Sequence, residues 1–95
     1  MTKEFRQYKY EVPKGAVDLT LVRHGESSAA IPGTPFPLHK GHGDPDLHVN
    51  GIQQAKLVKN ALEKKHFQSI YATDLKRTQQ TAEPLATRLS LPITI

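Results

Sequence analysis

Cysteine and tryptophan are absent from this chain, methionine occurs once, and three phenylalanines and three tyrosines are its whole aromatic complement. Without cysteine, neither a disulfide framework nor a thiolate metal site can hold the fold, so burial of apolar surface must. No segment approaches the ~20 consecutive apolar residues of a membrane helix. The N-terminus "MTKEFRQYKY" lacks the apolar run of a signal peptide. These absences describe a soluble protein with no membrane partner, and they leave the cytoplasm as the default, cytoplasmic location being the expectation.

What is present is enough for one small domain and not for two: 95 residues, 37% hydrophobic and 23% charged. The formal net charge is +4, but the lysines are scattered from Lys3 to Lys76 and few aromatics lie in basic stretches. That pattern argues for a solvated basic surface that attracts small anions, and against nucleic acid as a partner.

Along the chain, residues 1–15 are polar, with Tyr8, Tyr10 and Val12 alternating, and read as an N-terminal extension packed on the domain. "AVDLTLV", residues 16–22, is apolar and β-branched and reads as a central, buried strand. Residues 27–46 hold four of the seven prolines, so a long loop without helix or strand is expected there. Ile52, Ala55, Val58, Ala61 and Leu62 recur at helical spacing and predict an amphipathic helix over about 50–65. "HFQSIYAT", residues 66–73, predicts a second strand. A helix then starts from about Asp74, its expected N-cap. Pro84 should kink or shorten that helix, and "LPITI" opens a third strand. Strand, loop, helix, strand, helix, strand is the order of an α/β fold, a parallel sheet sandwiched by helices.

In open parallel sheets ligands bind beyond the carboxyl ends of the strands, where helix N-termini also point. Arg23 and His24 follow the first strand there, and Arg77 lies in the first turn of the helix after the second. Three groups able to carry positive charge beside a helix N-terminus make an anion site, with phosphate as the natural guess. Arginine suits it because its planar fork meets two phosphate oxygens at once. Gly25 lets the backbone turn tightly beside a ligand. An imidazole set between fixed cations keeps a ring nitrogen lone pair available to attack phosphorus, giving a phosphohistidine for water to cleave.

Other groups read as background. His39, His42 and His48 with Asp44 and Asp46 lie in a loop without a second ligand pair of fixed geometry, so a substrate entrance is preferred to a metal site. His66 stands apart and reads as structural. Ser27 and Ser28 lack the Gly-x-Ser-x-Gly elbow of a serine hydrolase, which leaves Ser27 as a hydrogen-bonding neighbour of the phosphate. The lysines of the first helix form a solvated face.

"LVRHGES", residues 21–27, resembles the signature of the histidine phosphatase superfamily, which includes cofactor-dependent phosphoglycerate mutases, fructose-2,6-bisphosphatases and acid phosphatases. "DPDLHVNGIQQA", residues 44–55, and "IYATDLKRTQQTAEPLA", residues 70–86, are similar to the family's next two segments, in family order. The resemblance implies a phosphoglycerate mutase-like fold, with His24 as the phosphorylated nucleophile. It makes Arg23 and Arg77 ligands of the phosphoryl group, beside Gly25 and Ser27, with no metal and no cofactor. The implied activity is hydrolysis of a small phosphorylated substrate.

The departures bear on that activity. Mutases carry asparagine seven residues after the motif arginine, where this chain has Ala30, and a Pro-rich loop with His39 and His42 replaces the usual short stretch. Both favour a hydrolase over a mutase. The family's second His-Gly motif and its acidic proton donor have no counterpart before Ile95, and neither Glu26, Asp44 nor Glu83 matches the donor. Residues 16–95 therefore resemble the N-terminal part, about half, of such a domain. The alternative functions are a non-catalytic phosphate-binding fragment or scaffold module, or a phosphoglycerate mutase. Strand edges left open would recruit a second copy in a homodimer, or the rest of a longer domain.

Overall fold

The computed structural model describes residues 13–95; the alternation of Tyr8, Tyr10 and Val12 lies outside them. In order, the elements are β1 (Leu38–His39), β2 (His42–Gly43), α1 (Val49–Leu62), β3 (Ile70–Tyr71), α2 (Lys76–Leu89) and β4 (Ile93–Thr94). β3 and β4 pair in parallel, Ile70 with Ile93 and Tyr71 with Thr94, and α2 connects them as a βαβ unit. Ala72 N–H donates to the Thr94 carbonyl at 2.9 Å and extends the ladder. Among the described residues no helix is long and apolar enough to cross a membrane.

α1 buries Gly51 and Ala55, one turn apart, whereas Ile52 and Leu57 are exposed. The buried stripe is thus set by small residues that let backbones approach, and not by the largest apolar side chains. His48 caps the helix, its Nδ1 accepting from Asn50 N–H at 3.0 Å. The same Nδ1 lies 3.1 Å from Glu26 Oε2. One ring nitrogen cannot accept from the first and donate to the second at once, so the cap belongs to the bare nitrogen and the ion pair to the protonated one.

α2 begins at Lys76, with Leu75 at the N-cap and no side-chain capping bond, so Asp74 is not the cap the sequence led us to expect. The Lys76 N–H, which a helix start leaves unpaired, donates instead to Asp44 Oδ1 at 2.8 Å, across the fold. Asp44 is buried, and a carboxylate there also complements the helix dipole. Pro84 neither ends nor shortens α2, which runs on to Leu89. An interior proline costs roughly 3 kcal/mol, and burying a leucine such as Leu85 contributes about 1.5–3 kcal/mol. Packing of α2 on α1, β3 and β4 therefore carries the helix through the missing bond. Its end turns at Ser90, φ 55°, with Leu91 N–H donating to the Ala86 carbonyl at 3.0 Å.

Residues 16–22 correct the sequence reading. They form no strand, and Val17, Leu19 and Leu21 are 82%, 77% and 92% exposed. A strand needs a neighbour to satisfy its backbone, and among the described residues none pairs with this segment. Among the described residues, its side-chain ties are those of Lys65 Nζ, 3.1 Å from Thr20 Oγ1 and 3.4 Å from Asp18 Oδ2.

The loop over 27–46 is also more ordered than its prolines suggest, because β1 and β2 form a hairpin closed by Lys40 and Gly41, both at positive φ. That is the backbone of a two-residue type I′ turn. The hairpin is pinned to the approach of α2: Lys40 Nζ is 2.9 Å and His39 Nε2 3.1 Å from Asp74 Oδ2. The Lys40 hydrogen bond, then that of His39, holds the Asp74 carboxyl below its ordinary 3.8, and Asp74 raises Lys40 above 10.5. The lowered carboxyl makes its contribution above its ordinary value and loses it as pH falls through the depressed folded value. The raised ammonium contributes below 10.5 and loses this as pH rises through its folded value. The tie is whole between these limits, and solvent screening keeps it weak.

Two outcomes are expected. A Cβ on Gly51 would run into the Glu26 carbonyl oxygen and stand 2.9 Å from the Glu26 nitrogen, both backbone. Gly51→Ala therefore lowers stability by about 1–3 kcal/mol in urea unfolding, although glycine to alanine in an open helix raises it by about 1 kcal/mol. A raised urea midpoint would remove the close approach from the account. In Lys40→Met, the Asp74 carboxyl followed by carbon NMR titrates closer to 3.8 than in the parent chain; an unmoved titration would show the ion pair to be idle.

Candidate active site

The residues that the sequence singled out lie where the exposed segment 16–22 meets the two helices. Arg23 is exposed, His24 half-buried and Gly25 buried. Gly25 is required here by space, since a Cβ would stand 2.7 Å from the Gly51 carbonyl oxygen. α1 consequently starts directly against the backbone of Gly25 and Glu26, and His48 N–H donates to the Glu26 carbonyl at 2.9 Å. Beyond it, Ser27 bridges Leu47, and Ser28 N–H donates to the Asp46 carbonyl at 2.9 Å. Gln80 secures this crossing from α2, accepting from Leu47 N–H and donating to Asp46 Oδ1, both at 2.8 Å.

The His24 ring is held by its own neighbour: Nδ1 lies 2.8 Å from the Gly25 carbonyl oxygen. A carbonyl only accepts, so Nδ1 carries the proton and Nε2 of the neutral ring keeps its lone pair. Gly25 N–H donates to Thr81 Oγ1 at 3.0 Å, and that buried hydroxyl donates to the Arg77 carbonyl at 2.6 Å. Glu26 N–H donates to Gln54 Oε1 at 2.8 Å.

Arg23, His24, Gly25, Ser27, Gln54, Val58 and Thr81 line one open hollow of about 390 Å³. Four of the predicted site residues are thus brought together. Arg77 is not among the lining residues; its guanidinium donates to the Gly43 carbonyl of β2 at 3.0 Å, while its own carbonyl is reached through Thr81. Gln54 and Thr81 were missed as site residues, although both sit in motif segments visible in the sequence. Nothing in their residue types announces a role, which lies in the backbone groups they bind. Ala30 lines a separate apolar hollow with Ile31 and Phe36.

A metal finds no ready set of ligands: among the described residues no three His, Asp or Glu side chains converge on a point. His39 faces Asp74, Asp46 binds Gln80, and Asp44 takes the α2 N-terminus. The arrangement offers one imidazole nitrogen, an arginine, a serine and a glutamine amide around a space open to solvent. Such a set can bind an oxyanion and attack it.

The chain is similar to known phosphatases. Over 77 residues, 81% of this chain, it is 40% identical to phosphoserine phosphatase 1 of Hydrogenobacter thermophilus. It is 35% identical over 77 residues to adenosylcobalamin/alpha-ribazole phosphatase of Escherichia coli. The chain spans about a third of these relatives, 35% and 36% of their lengths. The solved structure of a mycobacterial glucosyl-3-phosphoglycerate phosphatase superposes with a TM-score of 0.59 at 28% identity, covering 75% of this chain and 32% of that one. The family model described as histidine phosphatase superfamily (branch 1) matches residues 19–95, and the chain belongs to that superfamily, as an N-terminal portion of its phosphoglycerate mutase-like α/β domain.

Proposed function

We propose that this chain carries the nucleophile and part of the phosphate site of a metal-independent phosphomonoester hydrolase acting on a small phosphorylated metabolite. The observation that carries the reading is the bond from His24 Nδ1 to the Gly25 carbonyl, which leaves Nε2 as the nucleophilic atom in a hollow shared with Arg23 and Ser27. Nε2 attacks phosphorus, the P–O ester bond breaks, and its electron pair leaves with the alkoxide. Water then attacks phosphorus, the N–P bond breaks, and inorganic phosphate departs as His24 regains its lone pair. Arg23, with Arg77 once its guanidinium leaves Gly43, stabilises charge on the equatorial oxygens. The phosphatase names of its relatives support hydrolysis of a phosphate ester as the class of reaction.

Transfer between two positions of a substrate, as in a mutase, is disfavoured by Ala30, which lines the apolar hollow away from His24. A binding module without turnover is the second reading, favoured by the acids: Glu26 Oε2 faces His48, and among the described residues no carboxylate lines the His24 hollow. Without an acid the alkoxide departs unprotonated, and general acid catalysis contributes about 10²–10⁴-fold.

An aryl phosphate, whose leaving group needs least protonation, is therefore the substrate of choice. The chain is expected to release phosphate from p-nitrophenyl phosphate in the presence of chelator, and to hold an acid-labile phosphorus signal on His24 when quenched. His24→Ala abolishes both. Arg77→Ala weakens orthovanadate binding by about 10- to 100-fold, the equivalent of a charge-assisted hydrogen bond of about 1.5–3 kcal/mol. Vanadate binding with no release of phosphate would select the binding module instead.

A further inference from the structure

Gly25 joins two peptide units, and each is held by a side chain from a different helix. The unit between His24 and Gly25 offers its N–H to Thr81 Oγ1 at 3.0 Å, from α2. The unit between Gly25 and Glu26 offers its N–H to Gln54 Oε1 at 2.8 Å, from α1. The carbonyl of that second unit is the one that accepts from His24 Nδ1 at 2.8 Å. A peptide is planar, and its N–H and C=O point in opposite directions. Fixing the Glu26 N–H on Gln54 therefore fixes the direction of the Gly25 carbonyl, and with it the nitrogen of His24 that holds the proton.

Glycine between the two units makes this necessary. With no Cβ, Gly25 restricts its own dihedrals less than any other residue, so side chains must supply what the backbone does not. Thr81 is suited to its part because it is buried and its hydroxyl is committed on both sides, accepting from Gly25 and donating to the Arg77 carbonyl. Gln54 is suited to its part because a neutral amide oxygen accepts without placing negative charge in an anion site. It also lines the same hollow as His24.

We propose that Gln54 is a positioning residue that sets the tautomer of His24, with Thr81 as its counterpart on the preceding peptide unit. The proposal rests on the reading of His24 as the nucleophile, but the tautomer can be read without any turnover. The neutral ring of an unconstrained histidine side chain prefers the proton on Nε2, which would block the atom that attacks; the clamp reverses that preference.

The test is carried out on the whole chain with ¹⁵N-labelled histidine, at a pH where the ring is neutral, by long-range proton–nitrogen correlation. The parent chain shows His24 as Nδ1–H. Gln54→Leu brings up the Nε2–H form, and Gln54→Glu, which keeps the acceptor oxygen, restores Nδ1–H. Phosphorylation of His24 by phosphoramidate slows by about 10- to 100-fold in Gln54→Leu, by analogy with the loss when outer hydrogen-bond partners of metal-binding imidazoles are removed. Should circular dichroism show Gln54→Leu unfolded, Thr81→Val against Thr81→Ser makes the same comparison on the other unit. Retention of Nδ1–H and of the parent rate in folded Gln54→Leu or Thr81→Val overturns the proposal. If the tautomer responds as expected while no chain, the parent included, takes up phosphate, the clamp stands and the phosphatase reading falls.

Discussion

The contact on which the rest depends is between two backbones, Gly25 and Gly51. A Cβ on Gly25 would stand 2.7 Å from the Gly51 carbonyl oxygen, and one on Gly51 would collide with the Glu26 carbonyl. Only a pair of glycines lets the first turn of α1 lie directly on the turn that carries His24. Because it does, the His48 N–H reaches the Glu26 carbonyl at 2.9 Å and Gln54, one turn further on, reaches the Glu26 N–H at 2.8 Å. Any side chain between them would push α1 outward and take both bonds beyond reach, since hydrogen bonds weaken steeply with misalignment.

Around this contact the described residues are joined by polar ties more than by bulk. The buried apolar side chains are Leu47, Ala55, Leu85 and Ala86, a small set. Asp44 and Thr81 are buried with them, and each has a partner, Asp44 on the α2 N-terminus and Thr81 between Gly25 and Arg77. Buried polar groups of this kind are costly if left open and directional when satisfied. Among the described residues no buried side-chain nitrogen or oxygen lacks a partner. The consequence is that the loop 27–46 is placed by bonds from α2, through Lys76, Arg77 and Gln80, and not by its own secondary structure.

This explains how much was legible in the sequence. α1, α2, β3 and β4 were found because apolar periodicity is local information, carried within each segment. The cluster of Arg23, His24, Gly25 and Ser27 was found because the residues are neighbours in the chain. What failed was non-local. Asp74 looks like a cap, yet Asp44, 32 positions from Lys76, takes the open N–H. Lys40–Gly41 is not the usual Asn-Gly of a two-residue hairpin, although glycine supplies one of its two positive φ values. Gln54 and Thr81 bind backbone groups, which every sequence offers at every position, so their partners had no signature.

The expectation for residues 16–22 failed in a way that says what aims the histidine. The sequence reading placed Arg23 and His24 directly after a central, buried strand over residues 16–22. In the structure that segment is exposed, and among the described residues the hydrogen bonds that tie the turn from His24 to Ser28 to other parts of the chain come from residues further along it, Leu47, His48, Gln54 and Thr81 among them. α1 and α2 pack against each other and grip the turn from both sides. The direction of His24 is thus a property of the helix pair, and a strand that joined residues 16–22 would bury apolar side chains without having to build the site.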